Sequence, residues 1–311
     1  MNNKDLLSIN DLSEIDLSLL LADAVELKTQ GWLGRLRGKT MALLFEKPSL
    51  RTRVSFELAM KQLGGETLYL SPPEVGLGKR EDVADVGRVL ERYVNLLVVR
   101  TFSHGNLEEL ASSCSIPVIN ALSDAEHPCQ ALADLLTIYE HKGELKGLKL
   151  AFIGDGNNVT ASLILACTLA GVNFSLASPP GYQLDEAVIS RAHLNAAHSG
   201  STIYLTSDPQ SAVRNADVVY TDTWVSMGQE SDIEARQAGF NGFQVNGDLM
   251  RHAREDAIFM HCLPAHRGQE VTDEVMDSMA SVIFDQAENR LHAQKAVIAQ
   301  MLGGLEMHSC R

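Results

Sequence analysis

The feature that most constrains the fold is a rhythm of short apolar runs separated by helix-length segments. Such runs occupy 40–45, 67–70, 95–100 and 116–119, then 148–153, 172–177, 201–206, 217–220, 257–260 and 281–284. Most are apolar and β-branched along their length, without the alternation of a half-exposed strand. Strands buried on both faces and joined by helices form parallel α/β layers rather than hairpins. With 311 residues there is room for two such domains. The polar segment His141-Lys142-Gly143-Glu144-Leu145-Lys146-Gly147 offers the break between them, after a helical stretch from Pro128 to Glu140. The expected fold is therefore α/β, with two domains, each a mostly parallel sheet flanked by helices. Residues 1–142 form the first and 143–290 the second. Leu291 to Leu302 reads as a final helix ending at Gly303-Gly304; it could join either half, and 291–311 is placed with the first.

Composition narrows the function class. A formal net charge of −14 and a pI near 5.1 argue against nucleic-acid or anionic-membrane partners, which need a basic surface. No apolar run approaches the roughly 20 residues of a membrane span. The five cysteines contain no CxxC pair, which fits reduced thiols in a cytoplasmic protein. The polar, acidic N-terminus is unlike a signal or transit peptide.

The second half opens with LKLAFIGDGNNV, a strand followed by a glycine-rich turn. Gly154 and Gly156 fit G-x-G, but Val159 stands at the third glycine position. Ser178 ends the next strand where a ribose-binding acid would be needed. The reading is Rossmann-like without a nicotinamide cofactor, with the Asn157-Asn158 amides at the strand's carboxyl end, where open α/β sheets bind ligands.

The stretch FEKPSLRTRVSFE, 45–57, puts Ser49, Arg51, Thr52 and Arg53 where a strand gives way to a helix. A helix N-terminus presents free N–H groups and a positive dipole end, so it favours anions. An anion site and a simple Ser49 cap with solvated arginines both fit this stretch alone. Further polar groups follow other strands: Arg100 after VNLLVV, His127-Pro128-Cys129-Gln130 opening the long helix, Asp222, Ser226 and Met227 in YTDTWVSMGQE, Cys262 and Leu263 in HCLPAHRG, and Arg290 in ENRLH. Each has an ordinary structural explanation, such as a buried backbone-bonded histidine or a core thiol. Their shared position at strand carboxyl ends in both halves points to ligand binding. The histidines and cysteines do not show paired zinc-ligand spacing, and acidic clusters suited to Mg²⁺ are lacking, so no metal is expected. A P-loop and a G-x-S-x-G elbow are also missing.

Together these segments resemble the aspartate/ornithine carbamoyltransferase family, on its ornithine-using side. FEKPSLRTRVSFE is similar to the family's carbamoyl phosphate signature. NALSDAEHPCQALAD, GDGNNV, YTDTWVSMGQE, FMHCLPAHRGQEV and AENRLHAQKA resemble ornithine-enzyme segments, so the likeness runs from about Phe45 to Val297. It implies that Ser49, Leu50, Arg51 and Thr52 hold the phosphate. Arg100, the His127-Pro128-Cys129-Gln130 segment, Arg290 and the backbone of Cys262-Leu263 would hold the carbamoyl part. Asn158, Asp222, Ser226 and Met227 would take the amino-acid end of ornithine, and Cys262 would lie beside its reacting amine. The catalytic set implied is Arg51, Arg100, His127 and Cys262. The resemblance also implies a homotrimer or a multiple of trimers, and a reaction without cofactor.

Leu50 stands where the family pattern usually has threonine, which removes one side-chain donor. The loop PPEVGLGKRED lacks the glutamine that many members lend to a neighbouring subunit. The chemistry fits the residue types. Attack of an amine on carbamoyl phosphate puts negative charge on the carbonyl oxygen, which Arg51, Arg100 and His127 would stabilise. The δ-amine resembles lysine, with a free pKa of about 10.4, and desolvation would lower it. A carbamoyltransferase for another amine such as putrescine, and a non-catalytic Rossmann-like binding protein, are the alternatives.

Overall fold

The computed structural model describes residues 3–30, 34–225 and 232–303. The chain divides into two compact units, Met1–Leu136 with Asn289–Arg311, and Thr137–Glu288. Both boundaries fall inside helices, Pro128–Lys142 and Ile283–Met301.

The first unit holds β1 (Thr40–Phe45), β2 (Glu66–Leu70), β3 (Leu96–Arg100) and β4 (Val118–Leu122). They form one parallel sheet in the order β2-β1-β3-β4. Ala42, Leu44, Leu97, Val99 and Val118 pack with Leu107 and Leu110 of helix His104–Ser113 into a buried cluster. Each such Leu or Val contributes roughly 1.5–3 kcal/mol through burial. The order changes direction between β1 and β3, and Phe45 pairs with Arg100 at the carboxyl ends of that seam. A crevice opens at such a switch point because successive connections leave it on opposite sides.

The second unit holds β5 (Lys149–Ile153), β6 (Asn173–Ala177), β7 (Ile203–Thr206), β8 (Val218–Thr221) and β9 (Ile258–His261). Its parallel order is β7-β6-β5-β8-β9, that of the first five strands of a Rossmann sheet, with the switch point between β5 and β8. Ile153, Val219, Phe259, Phe240, Val271 and Ile283 are among the residues of its core.

The apolar run 281–284 does not form a named strand. Ser281 makes an isolated bridge to Phe259, and helix Ile283–Met301 starts there rather than at Leu291. A four-residue apolar run fits either a strand or a helix end. Here burial recurs at Ile283, Gln286, Asn289, Arg290, Ala293 and Val297, which is helical spacing, while Phe284 is 72% exposed. No helix among the described residues is long and apolar enough to cross a membrane.

Candidate functional site

In the first unit, Ser49 caps helix Leu50–Gln62 with extended backbone, and its hydroxyl accepts the N–H of Thr52. The same hydroxyl donates to Thr52 Oγ1 at 2.9 Å, which also receives Arg290 Nη2 at 2.8 Å. Thr52 is fully buried, so the helix start and Arg290 are tied together away from water. Leu50 points outward and is 77% exposed, which leaves its backbone N–H at the helix start as its polar contribution.

The two arginines of this junction have different fates. Arg53 pairs with Glu57 at 2.8 Å and lies 3.9 Å over the Tyr69 ring, an exposed arrangement. Arg51 has no side-chain hydrogen bond or ion pair among the described residues, and its charge acts on Arg100. Arg100, at the end of β3, is 4% exposed and likewise has no such partner for its guanidinium. Burial, then Arg290, then Arg51, bring its pKa down to about 10.

His127 immediately precedes helix Pro128–Lys142 and is buried. Burial first, then Arg290, Arg100 and Lys47, hold its pKa well below the usual 6.5, so the imidazole is neutral at pH 7. Gln130 donates Nε2 to Asp134 at 2.8 Å, while its buried Oε1 has no partner among the described residues. Pro128 is the first residue of the helix, which a missing N–H suits. The Cys129 thiol faces Asn120 O at 3.6 Å, and burial pushes its pKa up to about 12, so its side chain is a core group. Lys47, which the motif reading left out of the site, is also buried at the end of β1. Its signal was its place two residues before Ser49.

In the second unit, Asp222 follows β8 and is 5% exposed. Its Oδ2 accepts Asn157 Nδ2 at 2.9 Å, and its Oδ1 accepts the Thr223 N–H at 2.8 Å and the Cys262 thiol at 3.0 Å. Asn157, the N-cap of helix Asn158–Leu169, holds Asp222; it is the neighbour of Asn158, which the sequence assigns to ornithine. Asn158 is half-buried in the first turn. An Asn before an apolar helical run is a readable cap signal, but that its amide turns to Asp222 is a tertiary matter. Ser226 and Met227 lie outside the described residues.

Cys262 begins a turn set by a buried pair. His261 Nε2 meets Glu270 Oε1 at 3.2 Å with both side chains fully buried, and His261 Nδ1 accepts the Leu263 N–H at 2.9 Å. The accepting Nδ1 fixes the neutral ring as the Nε2–H tautomer, which donates to Glu270. Leu263 has a φ of 58°, a left-handed conformation costing a bulky residue roughly 1–3 kcal/mol. That turn holds the backbone beside Cys262 in a fixed orientation.

Asp222, His261 and Cys262 place ligand atoms within 4.8 Å of one another. Both His261 nitrogens are already engaged, and the two remaining groups fall short of a tetrahedral zinc site. The arrangement suits substrate holding better than a metal.

The first unit thus presents buried cations and a neutral imidazole at one switch point, and the second presents a buried carboxylate, an amide and a thiol at another. Residues 4–140 match the family model for the carbamoyl-P binding domain of aspartate/ornithine carbamoyltransferase, and residues 146–301 match its Asp/Orn binding domain. The chain belongs to the aspartate/ornithine carbamoyltransferase family. Within it, the chain is 52% identical over 310 residues to the ornithine carbamoyltransferase of Pyrococcus abyssi, covering 98% of each. It is 53% identical over 299 residues to that of Bacillus subtilis, covering 96% of this chain and 94% of the other. Among solved structures, the ornithine carbamoyltransferase of Pyrococcus furiosus superposes with a TM-score of 0.93 at 52% identity, over 97% of this chain and 98% of that one. The anabolic ornithine carbamoyltransferase of Campylobacter jejuni gives 0.92 at 40% identity, over 96% and 99%.

Proposed function

We propose that this carbamoyltransferase moves the carbamoyl group of carbamoyl phosphate to the δ-amine of L-ornithine, giving L-citrulline and phosphate. The observation that carries the reading is a charge imbalance in the first unit. Arg51 and buried Arg100 have no anion among the described residues, in a chain whose net charge is −14. Buried charge without a partner is unfavourable unless a ligand supplies the counter-charge.

A phosphate dianion answers that need at the start of helix Leu50–Gln62, through Ser49, the Leu50 N–H, Arg51 and Thr52. Arg100 and His127 aim donors at the carbonyl oxygen, Arg290 steadies Thr52, and Gln130 Oε1 is the acceptor a carbamoyl NH₂ requires. Pro128 and Cys129 act through the backbone that places His127 and Gln130. Neutral His127 donates a hydrogen bond without adding charge to an already cationic pocket. The deprotonated δ-amine attacks the carbonyl carbon, and the C–O bond to phosphate then breaks. One proton of the substrate ammonium goes to solvent and a second to the departing phosphate. No covalent enzyme intermediate and no cofactor is needed.

For ornithine, Asp222 is the partner of the α-ammonium. A carboxylate offers about four lone-pair directions, and Asn157, the Thr223 N–H and Cys262 take up three of them. Asn158, Ser226 and Met227 complete the amino-acid end of this site. Putrescine has no α-ammonium or carboxylate to match it. The protein is further proposed to work in the cytoplasm, where its thiols stay reduced, and as a homotrimer or a multiple of trimers. Leu50, Val54 and Leu58 form an exposed apolar stripe along one helix face, the kind of surface that subunit association covers.

The test is citrulline-type product formation from carbamoyl phosphate with ornithine, putrescine, aspartate or N-acetylornithine offered separately. Turnover with ornithine alone, or far above the others, is expected. Faster use of putrescine would overturn the acceptor assignment, and no turnover with any amine would favour a binding protein.

A further inference from the structure

We propose that Lys47 is a further carbamoyl phosphate-binding residue, and that its neutral amine takes up a proton as the dianion binds above neutral pH. The inference rests on the phosphate assignment made above. Lys47 leaves the end of β1 two residues before the Ser49 cap and is 8% exposed. Its Nζ lies 4.5 Å from the centroid of the Phe102 ring, and no hydrogen bond or ion pair holds it among the described residues.

The groups around it come from several elements. Arg100 ends β3, and Asp124 and His127 lie between β4 and helix Pro128–Lys142. Glu46, on the same loop, accepts Thr101 Oγ1 and the Phe102 N–H, and so is occupied elsewhere. His104 donates its backbone N–H to Asp124 at 2.9 Å and faces Ser123 through its ring. Arg51 and Arg290 add positive charge to the same cluster through Arg100 and His127. Lys47 therefore sits in a cationic, largely dry wall, with its two carboxylate neighbours beyond ion-pair distance.

Such a lysine sheds its proton readily. Burial first, then Arg100, bring its pKa from 10.5 to about 8, against the weaker pull of Asp124 and Glu46. A phosphate dianion reverses the balance, because a nearby opposite charge favours the protonated amine. The sign follows. Below pH 8 the free protein already carries the proton, and binding recruits none. Above pH 8 the free amine is neutral, binding must draw a proton from solvent, and affinity falls as pH rises. Arg100, at about 10, keeps its charge through most of that range. An acyl phosphate is no more basic than a phosphate monoester, whose second pKa is about 6, so the ligand stays dianionic throughout.

The test is isothermal titration of freshly dissolved carbamoyl phosphate into the parent, Lys47→Arg, Lys47→Met and Arg51→Ala. Each is run near pH 7 and near pH 9, in pairs of buffers with different ionisation enthalpies. For the parent, proton uptake should rise from near zero to about one per ligand, and Kd should weaken roughly tenfold per pH unit above pH 8. Lys47→Arg, permanently charged, should show neither change. Lys47→Met should bind about 100-fold or more weakly near pH 7 and also show no uptake; it is a neutral, apolar replacement that keeps the inference testable if arginine does not fit. Parent binding without proton uptake near pH 9, or the same uptake in Lys47→Arg, would overturn the role of Lys47. Failure of the parent to bind at all, or undiminished binding in Arg51→Ala, would instead overturn the phosphate assignment.

Discussion

Asp222 shows how one residue type acquires a role through its neighbours. Its three donors orient the carboxylate and leave one lone-pair direction open, which is what an incoming ammonium needs. Asp222→Asn removes the charge and sets an amide N–H against existing donors. We expect kcat/KM for ornithine to fall by about 100-fold or more, near 3 kcal/mol, with the carbamoyl phosphate Kd unchanged. Equal weakening of both substrates would mark Asp222 as structural. Cys262, whose thiol donates to that carboxylate, is expected to position and desolvate the δ-amine rather than to form a bond. Cys262→Ala should keep measurable turnover, with a raised ornithine KM and a pH–rate profile displaced from the parent's. A carbamoyl-thioester trapped in single turnover would sink the direct-attack mechanism. An unmoved KM and profile would leave packing as the account of Cys262.

At the scale of elements, the turn after β5 explains a motif that looks like a cofactor signature. Gly154 has a φ of 148°, open to glycine and strained for other residues. A Cβ on Gly156 would lie 2.3 Å from Leu184 N and 2.4 Å from Gln183 C, and the Gly156 N–H donates to Tyr182 O at 2.8 Å. The second glycine is thus required by the protein's own backbone, on the side where a dinucleotide's pyrophosphate would need access. Gly156→Ala should lower stability by about 1–3 kcal/mol, read from the denaturant midpoint. Because the same turn carries Asn157, ornithine KM should rise while carbamoyl phosphate binding stays at the parent level. Parent-like stability would mean that the 183–184 backbone yields without cost.

For the molecule as a whole, the exposed stripe on helix Leu50–Gln62 links the phosphate motif to assembly. Leu50, Val54 and Leu58 are 77%, 43% and 39% exposed in the single chain, and Leu68 on edge strand β2 is 46% exposed. Light scattering of the parent should give three chains or a multiple of three. Val54→Glu would force a charge into the proposed contact, where an unpaired buried charge costs several kcal/mol, and should shift the mass toward that of one chain. A parent mass of one chain, or an unchanged oligomer in Val54→Glu, would remove this stripe from the interface.

Much of this protein was legible in the linear chain, because strand rhythm, helix caps and motif spacing are local properties. Nine of the ten apolar runs became strands, both sheets are parallel, and the polar segments other than that of Arg290, which lies within helix Ile283–Met301, follow strand carboxyl ends as a parallel α/β layer requires. Family membership was readable from the same segments. The run 281–284 was not, since Val282 and Ile283 suit a strand or a helix start equally and only packing selects between them. Tertiary structure alone separated Arg53, paired at the surface, from Arg51, and turned Asn157 toward Asp222. It also made His127 neutral and placed Lys47 among cations. Those outcomes depend on desolvation and on charges brought close by residues far away in sequence. No local pattern records such distances; the folded backbone sets them.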